Sequence, residues 1–456
     1  MRVFIISDLH LGGRWGKDGD RGFRMMTCPE RLARFIDRVA DEAGPAELVI
    51  NGDFIDFLAE ENVGTRQWQA FVADEAAVVA RLEALAGPVV LPPDVPVPPD
   101  WPVFDALHRL LARPEKRLTL LLGNHDLELG LPAVRAALFR RLGSDRIEFI
   151  TDGEAHIVGD ALIEHGNRYD GFNVVDQDAF RRLRSLLSRR RPQALEASEF
   201  TPPIGSELVA TVMNPIKKDF AFVDQLKPEG AGLYGLLLAL RPSLWRQLDE
   251  IGRFAWQAHK RAPKDGQPTQ PGLRGAISAD GDSGEGGVWR LLEEEGYPKA
   301  LVADLHRELN PGSVRSVSSH IAALAAATRR KLVRAALRKS DLQAVWDPTV
   351  ETTAEYLKAA TALAKQGFRY VIFGHTHHAR DVSLPDGTRY LNSGTWANLM
   401  RFPVGLAEAP DEELDAFLKN LSENKLLGEP QPHAVELVFE DDKVQSARLL
   451  TPTDLP

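Results

Sequence analysis

"VFIISDLHLG", residues 3–12, starts as an apolar run rich in β-branched residues and ends in an aspartate and a histidine. The run reads as a buried strand. Asp8 and His10, two residues apart just beyond it, carry the oxygen and nitrogen donors of a metal site. One such pair is weak on its own, so the reading turns on whether other strands end in the same way.

They do. "AELVIN" (46–51) is followed by Gly52-Asp53 and then Asp56, and "RLTLLL" (117–122) by Gly123-Asn124-His125-Asp126. "DALIE" (160–164) leads to His165-Gly166-Asn167, and "RYVIF" (369–373) to Gly374-His375-Thr376-His377. Further strand-like runs are "RYLNS", "HAVELVFE" and "VQSARLL". Helical patterns lie between the early ones, as in "PERLARFIDRVADEAG" (29–44), with Pro near the start and Gly at the end. The alternation predicts an α/β layered fold. Ligand sites of such folds sit outside the carboxyl ends of strands, so Asp8, His10, Asp53, Asn124, His165, His375 and His377 are expected to converge. Carboxylates, imidazoles and an amide together suit manganese, iron or zinc, whereas a calcium site is nearly all oxygen. Seven donors are too many for one tetrahedral ion and fit two ions sharing a carboxylate. The glycines before Asp53, Asn124 and His375 let the backbone turn sharply.

The chain has 456 residues, enough for two or three domains or for one domain with large insertions. With 55 Lys and Arg against 65 Asp and Glu, its net charge of −10 speaks against general nucleic-acid coating. Cys28 is the only cysteine, so no internal disulfide can form, which fits a reducing compartment. The first residues enter a strand directly, without a charged and then apolar leader. No run approaches the roughly 20 apolar residues of a spanning helix. A soluble, cytoplasmic protein is the expectation.

Two regions interrupt the alternation. Residues 59–117 hold a helical stretch and then "GPVVLPPDVPVPPDWP" (87–102), whose prolines favour an extended loop. From about 170 to 365 the sequence reads as amphipathic helices, among them "DQDAFRRLRSLLSRRR", "LYGLLLALRPSLWRQLDEIGRFAWQAHK" and "SSHIAALAAATRRKLVRAALRKS". A Gly/Pro/Ser-rich segment, 261–287, is expected to be a flexible loop. The expected layout is a core of 1–170 and 366–450 carrying a helical insertion, or cap, of 171–365.

The five blocks resemble the calcineurin-like metallophosphoesterases, which carry D-x-H, G-D-x-x-D, G-N-H-[DE], a later His and G-H-x-H in this order. The resemblance implies a four-layer α/β/β/α sandwich with two divalent ions at one edge. Manganese is the first expectation, with iron, zinc or nickel as alternatives. It implies one ion on Asp8, His10 and His377, the other on Asn124, His165 and His375, and Asp53 bridging both. A metal-bridging hydroxide would attack phosphorus. The resemblance makes His125 the catalytic residue that serves the leaving oxygen. Asp56 would orient it, although an aspartate there also suits a helix start.

Protein phosphatases of the superfamily place Arg-Gly after the second Asp of G-D-x-x-D, where this chain has Phe57-Leu58. "DLHLG" and the insertion before G-H-x-H are closer to the hydrolases that cleave UDP-diacylglucosamine. Those resemble G-N-R-D and H-G-D, however, against Gly123-Asn124-His125-Asp126 and His165-Gly166-Asn167 here. A phosphodiester or pyrophosphate is therefore favoured, on a phosphorylated small or medium-sized substrate. The alternatives are a phosphomonoesterase on a small metabolite, a nuclease, and a non-catalytic metal-binding scaffold. Complete ligands argue against the scaffold, and the acidic balance disfavours nucleic acid.

Arg14 and Arg168, each near a ligand, are candidate phosphate clamps alongside Asn124, against the plainer reading of surface arginines. The basic stretches Arg181–Arg191 and Arg329–Lys339 read as solvated helix faces, and the apolar 220–240 as insertion core. His378 is expected to point away from the site, and His156, His259, His306, His320 and His433 to be ordinary scattered histidines. "DGDSGEGG" (280–287) lacks the acidic fifth and glycine sixth positions of a calcium loop.

Overall fold

The structure, a computed structural model, describes residues 1–13, 23–61, 67–92, 96–191, 193–226, 231–245, 247–248, 287–294, 296–309, 324–340, 346–426 and 428–456. Arg14, the 261–287 loop apart from Gly287, His259 and His320 lie outside these residues.

The chain begins with β1 (Arg2–Ile6), α1 (Pro29–Ala40), β2 (Ala46–Asn51), α2 (Glu75–Ala86), α3 (Trp101–Ala112), β3 (Lys116–Leu121), α4 (Pro132–Leu142) and β4 (Ile147–Ile150). A second sheet uses β5 (His156–Val158), β6 (Ala161–Ile163), β7 (Tyr370–Phe373), β8 (Ala379–Ser383) and β9 (Arg389–Ser393), with α5 (Gln177–Ser188) following β6. After the short ribbon β10 (Asn398–Leu399) and β11 (Glu429–Pro430), β12 (Ala434–Glu440) and β13 (Lys443–Leu450) return to the first sheet. The sheet orders are β13-β12-β1-β2-β3-β4 and β5-β6-β7-β9-β8. β1 to β4 are parallel, as are β6, β7 and β9.

Strand periodicity builds the layers, because alternate side chains leave a strand on opposite faces. Phe4, Ile6, Leu48 and Ile50 pack under α1 to α5. Val3, Ile5, Val49 and Leu121 instead meet Ala161, Ile163, Ile372 and Leu391 of the other sheet. On the far side Val371, Phe373 and Tyr390 pack on Tyr356, Ala359 and Ala360 of helix Ala354–Ala364. Helices, sheet, sheet and helix make the four-layer α/β/β/α sandwich.

Each strand read from the sequence is present. The proline-rich segment differs at its end, since Trp101 and Pro102 open α3. Proline is tolerated in a first turn, where its missing N–H has no partner to lose. The long helical pattern from 233 is interrupted after Leu240 by a turn at Pro242–Leu244, as the residue before a proline resists the α conformation; its part from 249 on lies outside the described residues.

α5 sends Phe180 and Leu183 into the core above the first sheet. Helices Ala231–Leu240, Lys299–Leu309 and Ala326–Ser340 build a separate apolar cluster with Leu414, Phe417, Leu418 and Leu421 of helix Asp411–Ser422. Phe220, Phe222 and Leu226 belong to it. The basic face of 329–339 is no merely solvated face. Arg330 pairs with Asp411 and Asp415 (2.9 and 2.5 Å), Arg334 with Asp411 (2.8 Å) and Arg338 with Glu408 (3.0 Å). No helix among the described residues is long and apolar enough to cross a membrane.

Candidate metal centre

The carboxyl ends of β1, β2 and β3 lie side by side, and those of β6 and β7 face them from the second sheet. Backbone bonds then lock the loops together. Asp8 N–H donates to the Gly52 carbonyl (3.1 Å), His10 N–H to the Asp53 carbonyl (3.0 Å) and Gly374 N–H to the His165 carbonyl (2.9 Å). Five residues of the expected ligand set have positive φ: Asp8 (53°), His10 (45°), Asp53 (50°), His375 (68°) and His377 (62°). Such backbone costs on the order of 1 kcal/mol or more per residue and persists only where surrounding structure imposes it.

The expected glycine turn holds at Gly52, whose φ is 82°. Gly123 is not in the left-handed region; a Cβ there would collide with the Asp53 carboxylate, so its role is close approach.

Six of the seven side chains fall into two groups, Asp8 with His10 and His377, and Asp53 with His165 and His375. His10 Nε2 lies 3.0 Å from His377 Nε2, and His377 Nε2 lies 3.5 Å from Asp8 Oδ1. Two nitrogens each about 2.1 Å from one ion would stand about 3 Å apart at a right angle. Asp53, His165 and His375 form a second group able to hold an ion. Asp53 Oδ2 sits between the groups, 3.8 Å from His10 Nε2 and 3.4 Å from His165 Nε2. Asn124, the seventh, is buried in the loop after β3, where His125 N–H holds Asp53 Oδ1.

The fit to metal ions can be tested on buried donor atoms that lack an aligned hydrogen bond. Asp8 Oδ1, Asp53 Oδ2, Asn124 Oδ1 and His165 Nε2 are buried without an aligned hydrogen-bond partner. Their opposite atoms are all engaged. Asp8 Oδ2 accepts His375 N–H (2.9 Å), Asp53 Oδ1 accepts His125 N–H (2.9 Å), and His165 Nδ1 faces the Asn51 carbonyl (2.7 Å). Buried polar atoms are rarely left unpaired, and oxygen and nitrogen atoms of these kinds suit divalent cations. A ligating histidine that holds a carbonyl or carboxylate through its other nitrogen is the usual arrangement.

The electrostatics agree. Burial raises the pKa of Asp8, and Asp53, burial notwithstanding, is held low by His165 and His125. Burial alone would lower His165, yet Asp53 and Asp8 lift it to about 10. His125 is likewise lifted to about 9 by Asp56 and Asp53 against its burial. The carboxylates thus favour positive charge at His165 and His125.

Asp56 reaches two rings. Its Oδ1 is 3.1 Å from His125 Nδ1 and its Oδ2 3.3 Å from His10 Nδ1. It also caps the short turn Phe57–Ala59 by accepting Ala59 N–H at 3.1 Å, so the orienting and capping roles coexist. Three neighbours were not singled out from sequence. Asp126 accepts Phe54 N–H (2.8 Å) and Gly123 N–H (2.7 Å), tying the loops after β2 and β3. Asp170 Oδ2 lies 3.1 Å from His375 Nε2, and Asn173 Oδ1 accepts the Asn124 amide at 3.2 Å. The only hint in sequence was that Asp126 closes the G-N-H-[DE] block and that Asp170 and Asn173 come shortly after His165.

Arg168 lines a cavity of about 220 Å³ next to Gly123 and His165. Its guanidinium already bonds the Gly153 carbonyl and lies 3.4 Å from Glu164. His378 is buried, with its ring against Trp346.

No match was found among curated proteins. Residues 1–204 match the family model of the calcineurin-like phosphoesterases, whose members are metal-dependent phosphoester hydrolases with a dinuclear centre. With clustered His and Asp groups able to hold metal at the strand ends, residues 1–204 form a calcineurin-like phosphoesterase domain.

Proposed function

We propose that this chain hydrolyses a phosphodiester or pyrophosphate bond in a small or medium-sized phosphorylated substrate, using two divalent ions. Asp8, His10 and His377 would hold one ion and Asn124, His165 and His375 the other, with Asp53 between them. When bound, the ions would withdraw charge from the phosphoryl oxygens and acidify a water near neutral pH. The observation that carries the reading is the meeting of Asp8, His10 and His377 in one group and of Asp53, His165 and His375 in another. Manganese is the first metal to test, since the donors are mixed oxygen and nitrogen. The single cysteine supports a reducing, cytoplasmic setting.

His125 is the most exposed of the core imidazoles, with 19 % of its side chain accessible, and it fits a role facing substrate. Held protonated by Asp56 and Asp53, it would donate a proton to the departing oxygen. Asp56 would fix the ring through Nδ1 and leave Nε2 for the substrate. Leu58 O accepts the Asn214 amide (2.8 Å), so a helical segment stands over this side of the site. That favours a compact substrate over a long polymer.

The test is a comparison of initial rates on an aryl phosphodiester and the matching monoester after metal stripping and manganese reconstitution. The proposal expects the diester to be faster. A clear monoester preference would redirect the assignment to phosphorylated metabolites.

A further inference from the structure

The second half-site contains a hydrogen-bond relay whose polarity can be read in one direction only. It begins at Asp170, which is buried at the end of the turn Asn167–Tyr169. Its Oδ1 accepts Phe172 N–H at 3.0 Å, and its Oδ2 lies 2.6 Å from Asn173 Nδ2 and 3.1 Å from His375 Nε2. A carboxylate oxygen that faces two nitrogens accepts from them. Asn173 must therefore turn its NH₂ towards Asp170, and His375 must carry its proton on Nε2.

The orientation propagates. With its NH₂ spent on Asp170, Asn173 presents Oδ1 to Asn124, which meets it with Nδ2 at 3.2 Å. Asn124 is left with Oδ1 buried and without a hydrogen bond. His375, protonated on Nε2, has its lone pair on Nδ1. One relay thus decides which atom two different candidate ligands offer. An amide reversed at Asn124 would point a donor at a cation.

The segment is also pinned from the far side. The Asn173 carbonyl accepts the Asn167 amide at 2.8 Å, and the Phe172 carbonyl accepts Gly205 N–H at 2.8 Å. A Cβ on Gly205 would run into Asn173 Oδ1, so helix Ile204–Leu208 closes directly onto the relay.

We propose that Asn173 is a positioning residue of the second half-site, setting Asn124 to present oxygen and, through Asp170, His375 to present Nδ1. The inference rests on the two-metal reading above. Its test is manganese binding to metal-stripped protein by equilibrium dialysis, with Asn173→Asp and Asn173→Ala beside the wild type. Asn173→Asp keeps the shape and removes the donor, placing carboxylate against carboxylate at Asp170. The wild type takes up two ions. Both variants keep the affinity of the first and lose about 10–100-fold on the second, the usual cost of removing a partner that orients a ligand. Unfolding temperature in chelator, measured in parallel, stays close to wild type for at least Asn173→Ala, which decides the matter if Asn173→Asp fails to fold. Unchanged affinity for the second ion would overturn the inference. So would equal weakening of both ions together with a lower unfolding temperature, which marks a structural role alone. A wild type that binds no metal would instead sink the two-metal reading and this inference with it.

Discussion

Replacing Asp56 by asparagine should damage the site through proton placement, with little change of shape. The carboxylate accepts from His125 Nδ1 at 3.1 Å, His10 Nδ1 at 3.3 Å and Ala59 N–H at 3.1 Å. An amide has one accepting side. Ala59 and His125 share Oδ1, so the oxygen stays there and the NH₂ faces His10 Nδ1. That nitrogen must then accept, which moves the His10 proton to Nε2, the atom 3.0 Å from His377 Nε2 and facing the first half-site. Loss of a partner that orients a ligand lowers metal affinity about 10–100-fold, or roughly 1.4–2.7 kcal/mol. His125 also loses the charge that most favours its protonated form, and general acid catalysis is worth about 10²–10⁴ in rate. The assay is Asp56→Asn on two aryl phosphodiesters, one releasing phenol and one releasing 4-nitrophenol, over a manganese series. The half-saturating manganese should rise about tenfold or more. At saturating metal the phenol ester should slow by about 10², and the nitrophenol ester less, because it needs little protonation. Unchanged manganese dependence with a rate within about threefold of wild type on the phenol ester would refute the reasoning.

Two further outcomes follow from the charge placement. His165 is held protonated up to about pH 10 in the metal-free protein, so manganese must displace that proton. Calorimetry at pH 8 in buffers of different ionisation enthalpy should register proton release on binding, and affinity should weaken as pH falls; binding without proton release contradicts this. Away from the centre, His156 Nε2 lies 2.8 Å from Glu47 Oε1, which also accepts Thr119 Oγ1 at 2.6 Å. Burial disfavours both charges, but the pairing raises His156 and, with Thr119, lowers Glu47. The His156 contribution is complete below its unfolded value near 6.5 and is lost as pH rises through its higher folded value. Glu47 contributes above about 4.5 and loses its share as pH falls through its lower folded value. His156→Leu should therefore cost about 3 kcal/mol in urea unfolding at pH 6 and less at pH 9; an equal cost at both would argue against an ion pair.

The strand ends were legible because apolar β-branched runs stop abruptly at residues that strands do not need. Asp8, His10, Asp53, Asn124, His165, His375 and His377 could thus be picked out together, and their loops do meet. The second contact of Asp56, with His10, was not legible, since 46 residues separate them and no local pattern encodes it. Asp126 acts through backbone N–H groups, and Asp170 and Asn173 through a relay whose sense emerges only in three dimensions. β4, β5 and β8 were missed because short edge or mixed strands carry little alternation. The basic face of 329–339 looked solvated because its acidic partners, Glu408, Asp411 and Asp415, lie about eighty residues on.

The most direct test of the central claim is metal content. Purified protein reconstituted with manganese should hold two ions per chain, with His377→Ala and His165→Ala each retaining about one and Asp53→Asn losing the metal-dependent rate on the aryl diester. A chain that binds no manganese, or an Asp53→Asn variant as fast as wild type, would contradict the two-metal account.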